Sequence, residues 1–184
     1  MSLGQNFPST LAAAQRGDEE ALTLLYRAFQ PRILGYLLAQ EPKDGEDLAS
    51  EVWVDIGAGL HRFEGTQSDL LCWIFTIARR RLIDHRRTRV RRRTDPVVVE
   101  ALALPSDQFD PARSLEHAEA LACLSQLPRE WAEIVLLRVV GGLDSAEVAA
   151  ITGRKPGTVR VIQKRALERL AEILSADRKQ AVTK

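Results

Sequence analysis

At 184 residues the chain holds one ordinary domain or two small ones. Apolar residues make up 45% against 5% aromatics, a balance that supports a packed helical core and excludes wholesale disorder. Only Cys72 and Cys123 are cysteines, no apolar run approaches the ~18 residues of a membrane span, and no basic-then-apolar leader opens the chain; a soluble cytoplasmic protein without a disulfide scaffold is expected.

Gly17 stops a short first helix and Asp18 caps the next. In that second helix Leu22, Leu25, Tyr26, Phe29, Ile33, Leu34 and Leu37 recur at three- and four-residue steps as one apolar face, and Pro31 predicts a kink rather than a break. Asp44 starts a third helix that carries Leu48, Val52, Trp53 and Ile56 and is weakened at its end by Gly57 and Gly59. Turn chemistry over Glu64–Asp69 predicts a loop, and a long fourth helix runs from about Asp69 into an arginine block. At 100° per residue Leu71, Ile74, Phe75, Ala78 and Leu82 form its core arc, with Trp73, Thr76, Arg80 and Arg87 opposite. Trp73 in line with arginines suits base stacking beside phosphate neutralisation, or else the ring packs under a loop.

Residues 94–114 hold Pro96, Pro105 and Pro111 without a sustained period, which predicts a flexible acidic linker, with Val97–Val99 briefly extended. Beyond it, Leu127-Pro128 opens a helix that runs through Val140 and ends at Gly141-Gly142. Asp144 and Glu147 form an aspartate version of a capping box for a short helix ending at Gly153. Pro156 opens the last helix, with Val159, Ala166, Leu170 and Ile173 on its apolar face, Thr158, Val161, Lys164 and Arg165 outward, and Arg160 at the edge. A short helix, a glycine-containing turn and a basic second helix make a helix-turn-helix.

The net charge of +1 conceals a segregated pattern. Residues 1–78 carry 5 basic and 11 acidic side chains, 79–93 nine arginines and one acid, 94–153 3 basic and 10 acidic, and 154–184 9 basic and 3 acidic. Two basic blocks between acidic ones suit two contacts with a polyanion and leave acidic surfaces for another partner. An enzyme is not expected. His61, His85 and His117 lack metal-ligand spacing, and no phosphate loop, nucleophile elbow or zinc signature occurs, so neither metal, cofactor nor small-molecule substrate is anticipated.

These residues resemble an extracytoplasmic-function (ECF, group 4) sigma factor of the sigma-70 family, the bacterial RNA polymerase subunit that recognises promoters. Residues 21–38, with Tyr26, Pro31-Arg32 and Tyr36, are similar to region 2.1, and Asp44 to Val52 to the D-x-x-D-L-x-Q-E segment of region 2.2. Trp73 to Arg79, then Ile83-Asp84 and the arginines, resemble regions 2.3–2.4. Leu127-Pro128 to Arg138, Gly142-Leu143, Glu147, Ala149 and Gly157 to Arg160 resemble region 4.

The resemblance implies an all-α fold of two small helical domains, region 2 over 1–93 and region 4 over 115–184. It implies that Asp44, Asp47, Leu48, Glu51 and Val52 dock on core RNA polymerase, and that Gly65, Thr66, Gln67, Ser68 and Asp69, with Trp73, Thr76, Arg80 and Arg87, read the −10 element. Lys155, Gly157, Thr158, Arg160, Val161, Lys164 and Arg165 would read promoter DNA at −35. Members are often held by an anti-sigma factor, frequently membrane-anchored. Ser50 replaces the usual Gln, and Val161-Ile162-Gln163 replaces the common Ser-Arg-Leu, so either Ile162 takes the core position or Gln163 is buried with a partner. A helix-turn-helix repressor acting alone is the alternative; it would leave the acidic third helix without a purpose.

Overall fold

Local sequence rules set the helix ends. The structure, a computed structural model, describes residues 4–92 and 120–182. A 3-10 turn at Gly4–Asn6 leads into α1 (Phe7–Gln15), after which Gly17 takes a φ of 87° and lets the chain reverse. Asp18 accepts from the Ala21 amide at 2.8 Å and starts α2 (Glu19–Leu38), which runs through Pro31 as one helix, as expected.

Asp44 precedes α3 (Gly45–Leu60) without capping it through its side chain. Its carboxylate is drawn away to His85 at 3.1 Å, on the next helix. Gly59 does more than weaken the end of α3. A Cβ there would lie 2.7 Å from the Trp73 ring, so the glycine is what lets that ring close on α3.

The fourth helix, α4 (Gln67–Arg92), begins two residues before the expected start and absorbs Gln67, Ser68 and Asp69 from the predicted loop. The cause is a reciprocal cap. The Thr66 amide and hydroxyl both donate to Asp69 Oδ2, at 2.8 and 2.7 Å, while the Asp69 amide donates back to Thr66 Oγ1 at 3.2 Å.

Residues 120–125 are helical, an element the sequence reading did not anticipate. Then come α5 (Arg129–Val139), α6 (Ser145–Thr152) and α7 (Pro156–Val182). Asp144 and Glu147 complete the expected capping box, and Gly153 closes α6 with a φ of 70°. The predicted linker 94–114 and the Val97–Val99 segment lie outside the described residues.

The core of the first half is built by α1–α4, and the predicted arc Leu71, Ile74, Phe75, Ala78 and Leu82 is buried in it. Tyr36 is fully buried and meets Phe75 edge-on, with ring centroids 5.4 Å apart. Leu22 and Tyr26, expected inside, are exposed. They rim a groove of about 320 Å³ with Leu25, Phe29, Trp53 and Ile56, and Gly57 lines it without a side chain.

In the second half α5, α6 and α7 pack together, with Val159 and Ala166 fully buried. One continuous apolar cluster runs from α1–α4 into α5, α6 and α7 through Ile134, Leu136, Leu137, Val148 and Ile151. This explains the four consecutive buried residues Ile134–Leu137. One side of α5 faces α7 and another faces α2 and α4.

Candidate functional site

Three surfaces carry the residues singled out by sequence. On α3 the spacing of 48, 52 and 56 turns apolar side chains inward, so Leu48 and Val52 are 2% and 0% exposed. This corrects the expectation that they touch a partner: they hold the helix in place instead. Asp44 is engaged with His85. Asp47 and Glu51 are exposed, and Val54, which sequence reasoning passed over, joins them with 70% of its surface open. The i, i+4, i+7 spacing of 47, 51 and 54 was the available signal.

Glu51 lies 3.2 Å from Arg81, whose guanidinium also grips Asp55 with bonds of 2.6 and 2.5 Å. That bidentate contact, more than the opposing effect of burial, holds the Asp55 carboxyl below the usual carboxylate range.

The second surface is the start and outer face of α4. Gly65, Thr66, Ser68 and Asp69 are exposed, Gln67 half-buried, and Thr76, Arg80 and Arg87 face outward. Trp73 does not stand free beside them. Its ring lies against Gly59 and near Phe63, 5.5 Å between centroids, so of the two sequence readings packing prevails. Arg80 and Arg87 keep 84% and 71% of their side chains exposed, and among the described residues their ion pairs are with Asp84 at 3.8 and 3.7 Å. Exposed pairs of this kind contribute little and leave both guanidinium groups available.

The inner arginines are occupied. Arg86 and Arg89 each bond Glu41 at 2.6 Å, Arg129 approaches it at 3.7 Å, and Arg79 bonds Glu133 at 2.9 Å. Arg79, Arg81, Arg86 and Arg89 of the arginine block are thus structural. Glu41, Asp44 and His85 also stand within 4.8 Å of one another, but Glu41 is already neutralised by two guanidinium groups, which disfavours a cation there.

The third surface is the helix-turn-helix. Lys155, just before α7, and Gly157, Thr158, Arg160, Val161, Lys164 and Arg165 within it are all exposed. Both alternatives for the departure at 162–163 are realised at once. Ile162 is buried, and Gln163 is half-buried with its Oε1 accepting from Arg138 Nε at 3.0 Å. Arg138 also donates to the Leu143 carbonyl, so the pair ties α5 to α7 beneath the reading face.

Comparison with known proteins agrees with this layout. Residues 25–92 match the family model "Sigma-70 region 2" and residues 117–183 match "Sigma-70, region 4". The chain is 30% identical to ECF RNA polymerase sigma factor SigD of Mycobacterium tuberculosis, over 94% of this chain and 86% of that one. It is 34% identical to ECF RNA polymerase sigma factor ShbA of Streptomyces griseus, over 85% and 89%. Among solved structures, the sigma factor RpoE of Bartonella quintana in complex with the anti-sigma factor NepR superposes with a TM-score of 0.68 at 27% identity, over 85% of this chain and 98% of that one. No helix among the described residues is long and apolar enough to cross a membrane. The order of surfaces along the chain, the helical fold and these likenesses agree: the chain belongs to the ECF sigma factors of the sigma-70 family.

Proposed function

We propose that this group 4 sigma factor docks on core RNA polymerase through the exposed α3 stripe of Asp47, Glu51 and Val54, and reads a two-part promoter without catalysing a reaction. Region 2, over 1–93, supplies the −10 reader from Gly65 to Asp69 with Thr76, Arg80 and Arg87. Region 4, over 115–184, supplies the −35 reader from the outer face of α7. The observation that carries this reading is the division of labour on exposed surfaces. The acidic stripe and two basic faces lie on different helices, and each is held from beneath by buried side chains. A repressor acting alone needs no such acidic stripe.

The test is run-off transcription on a genomic promoter library with purified core polymerase. Transcripts that require both core and this chain are expected; their absence across the whole library would overturn the reading.

An anti-sigma factor, as in the Bartonella complex, completes the proposal. An amphipathic helix of an inhibitor suits the exposed apolar rim of Leu22 and Tyr26 while its acids pair with the arginines of α4. The rest of that inhibitor is membrane-anchored, and the sigma factor works in the cytoplasm. Tagged pull-down under several growth conditions tests this arm. Recovery of polymerase subunits alone would remove the inhibitor and leave the transcription assignment standing.

A further inference from the structure

Arg79, Ile83, Arg86, Arg87 and Val90 follow one another at helical spacing on α4, and they form one wall of a cleft of about 750 Å³. The first turns of α5, with Arg129, Glu130 and Glu133, form the other wall, and Arg154 closes it. The volume lies within the ~300–1,000 Å³ usual for small-molecule sites. Among the described residues six arginines line the cleft, Arg91 included, against the two carboxylates of Glu130 and Glu133.

Acceptors are scarce around these arginines. Glu41, outside the lining, is shared among Arg86, Arg89 and Arg129, and Asp84 serves both Arg80 and Arg87. Arg79 pairs with Glu133 and Arg154 with Glu130. A guanidinium carries five N–H donors, so these shared carboxylates leave donors over. The backbone adds to the field. Pro128 holds the N-cap position of α5 and no side chain caps that end, so the positive end of the helix dipole opens beside Arg129 and Glu130. The lining also has an apolar part. Ile83 and Val90 stand two turns apart on α4 as a shelf, with Val90 widely exposed.

We propose that this cleft is a binding site for a nucleoside polyphosphate. The phosphates take the surplus donors of Arg87, Arg129 and Arg154, whose planar forks match paired phosphate oxygens. The base lies on the Ile83–Val90 shelf, and Glu130 accepts from a ribose hydroxyl or a base N–H. Two carboxylates on one wall oppose the unbroken phosphate run of a nucleic-acid strand, but they suit a compact ligand that brings donors as well as charge. The site does not depend on the transcription reading, and its test needs neither polymerase nor promoter.

Calorimetric titration of the full chain at ~0.15 M salt tests it, with ATP, GTP and inorganic tripolyphosphate as probes. At least one nucleotide should bind saturably, about tenfold or more tighter than tripolyphosphate. Arg129→Gln combined with Arg154→Gln should weaken that binding by about tenfold or more, while Arg169→Gln, at an exposed arginine outside the cleft, should leave it unchanged. Where the double variant does not fold, Val90→Asp takes its place at an exposed position of the shelf and should weaken binding to the same degree. Glu130→Gln should shrink the nucleotide's advantage over tripolyphosphate, whereas a patch acting by charge alone would bind both more tightly. Tightening of both by Glu130→Gln, no saturable binding of either nucleotide, tripolyphosphate bound as tightly as the nucleotides, or equal weakening by Arg169→Gln overturns the site. An oligonucleotide that depends on Arg129 and Arg154 while neither nucleotide binds assigns the cleft to nucleic acid and overturns it as well.

Discussion

Glu41 is 4% exposed and surrounded by Arg86, Arg89 and Arg129. Burial alone would raise its carboxyl, but the hydrogen bonds and charges of Arg86 and Arg89 outweigh it and hold the group below its ordinary value. A folded value below the unfolded one, ~4.3, means that ionised Glu41 stabilises the fold fully above that pH. The contribution is lost as pH falls through the folded value. Glu41→Gln should cost about 2–3 kcal/mol at pH 7, less than for a wholly buried pair because Arg89 is half-exposed. The variant's stability should also fall less steeply on acidification, as urea titrations at neutral and acid pH would show. Cys72 behaves in the opposite sense. Burial first, then the charges of Glu147, Asp144 and Asp69, pushes its thiol up to about 11. At pH 8 its thiolate fraction is then ~10²-fold below that of a free cysteine, and iodoacetamide labelling followed by mass spectrometry should be slower by that order. Neither result was legible from composition, because each depends on groups distant along the chain.

At the scale of the element, α4 shows how far periodicity reaches. Its apolar arc was legible because a helix repeats every 3.6 residues whatever surrounds it. The fate of its arginines was not, since their acidic partners come from other helices: Asp55 lies 26 positions from Arg81, Glu41 45 from Arg86, and Glu133 54 from Arg79. Trp73 was ambiguous for the same reason, because the space that receives it is made by Gly59 on α3. The α4 start was partly legible: the Thr66–Asp69 cap was present as residues but was read as loop chemistry. The functional consequence is a division of the arginine block. Arg80→Gln or Arg87→Gln should weaken binding to all promoters about evenly and lower the salt slope by ~1 per lost phosphate contact. Arg81→Gln and Arg86→Gln should lower stability and leave that slope unchanged. Filter binding of the holoenzyme across a salt series separates the two classes.

For the whole molecule, the sequence read as two helical units with a tether, and both units are there. What the sequence could not show is that they share a core. The docking surface is assembled from Gly35 and Tyr36 on α2, Arg79 on α4, and Glu133 and Val140 around α5, none of which forms a pattern within its own helix. A continuous apolar cluster makes a specific statement about unfolding. Variants that keep only Trp53 or only Trp131 report on different halves, yet their urea midpoints should coincide. Two separated transitions would show that the halves unfold independently.

The Glu41 cluster also bears on how this chain can drift. Arg86 and Arg87 are neighbours in sequence, but one is held by a carboxylate inside the protein while the other faces outward, where the proposed promoter contact would lie. Lysine can replace Arg87 with small loss, because a point charge suffices for an outward phosphate contact. At 86 the substitution gives up the planar fork that reaches both Glu41 and the Gln40 carbonyl. Among descendants of this protein, position 86 should therefore change together with position 41, while position 87 follows the promoter.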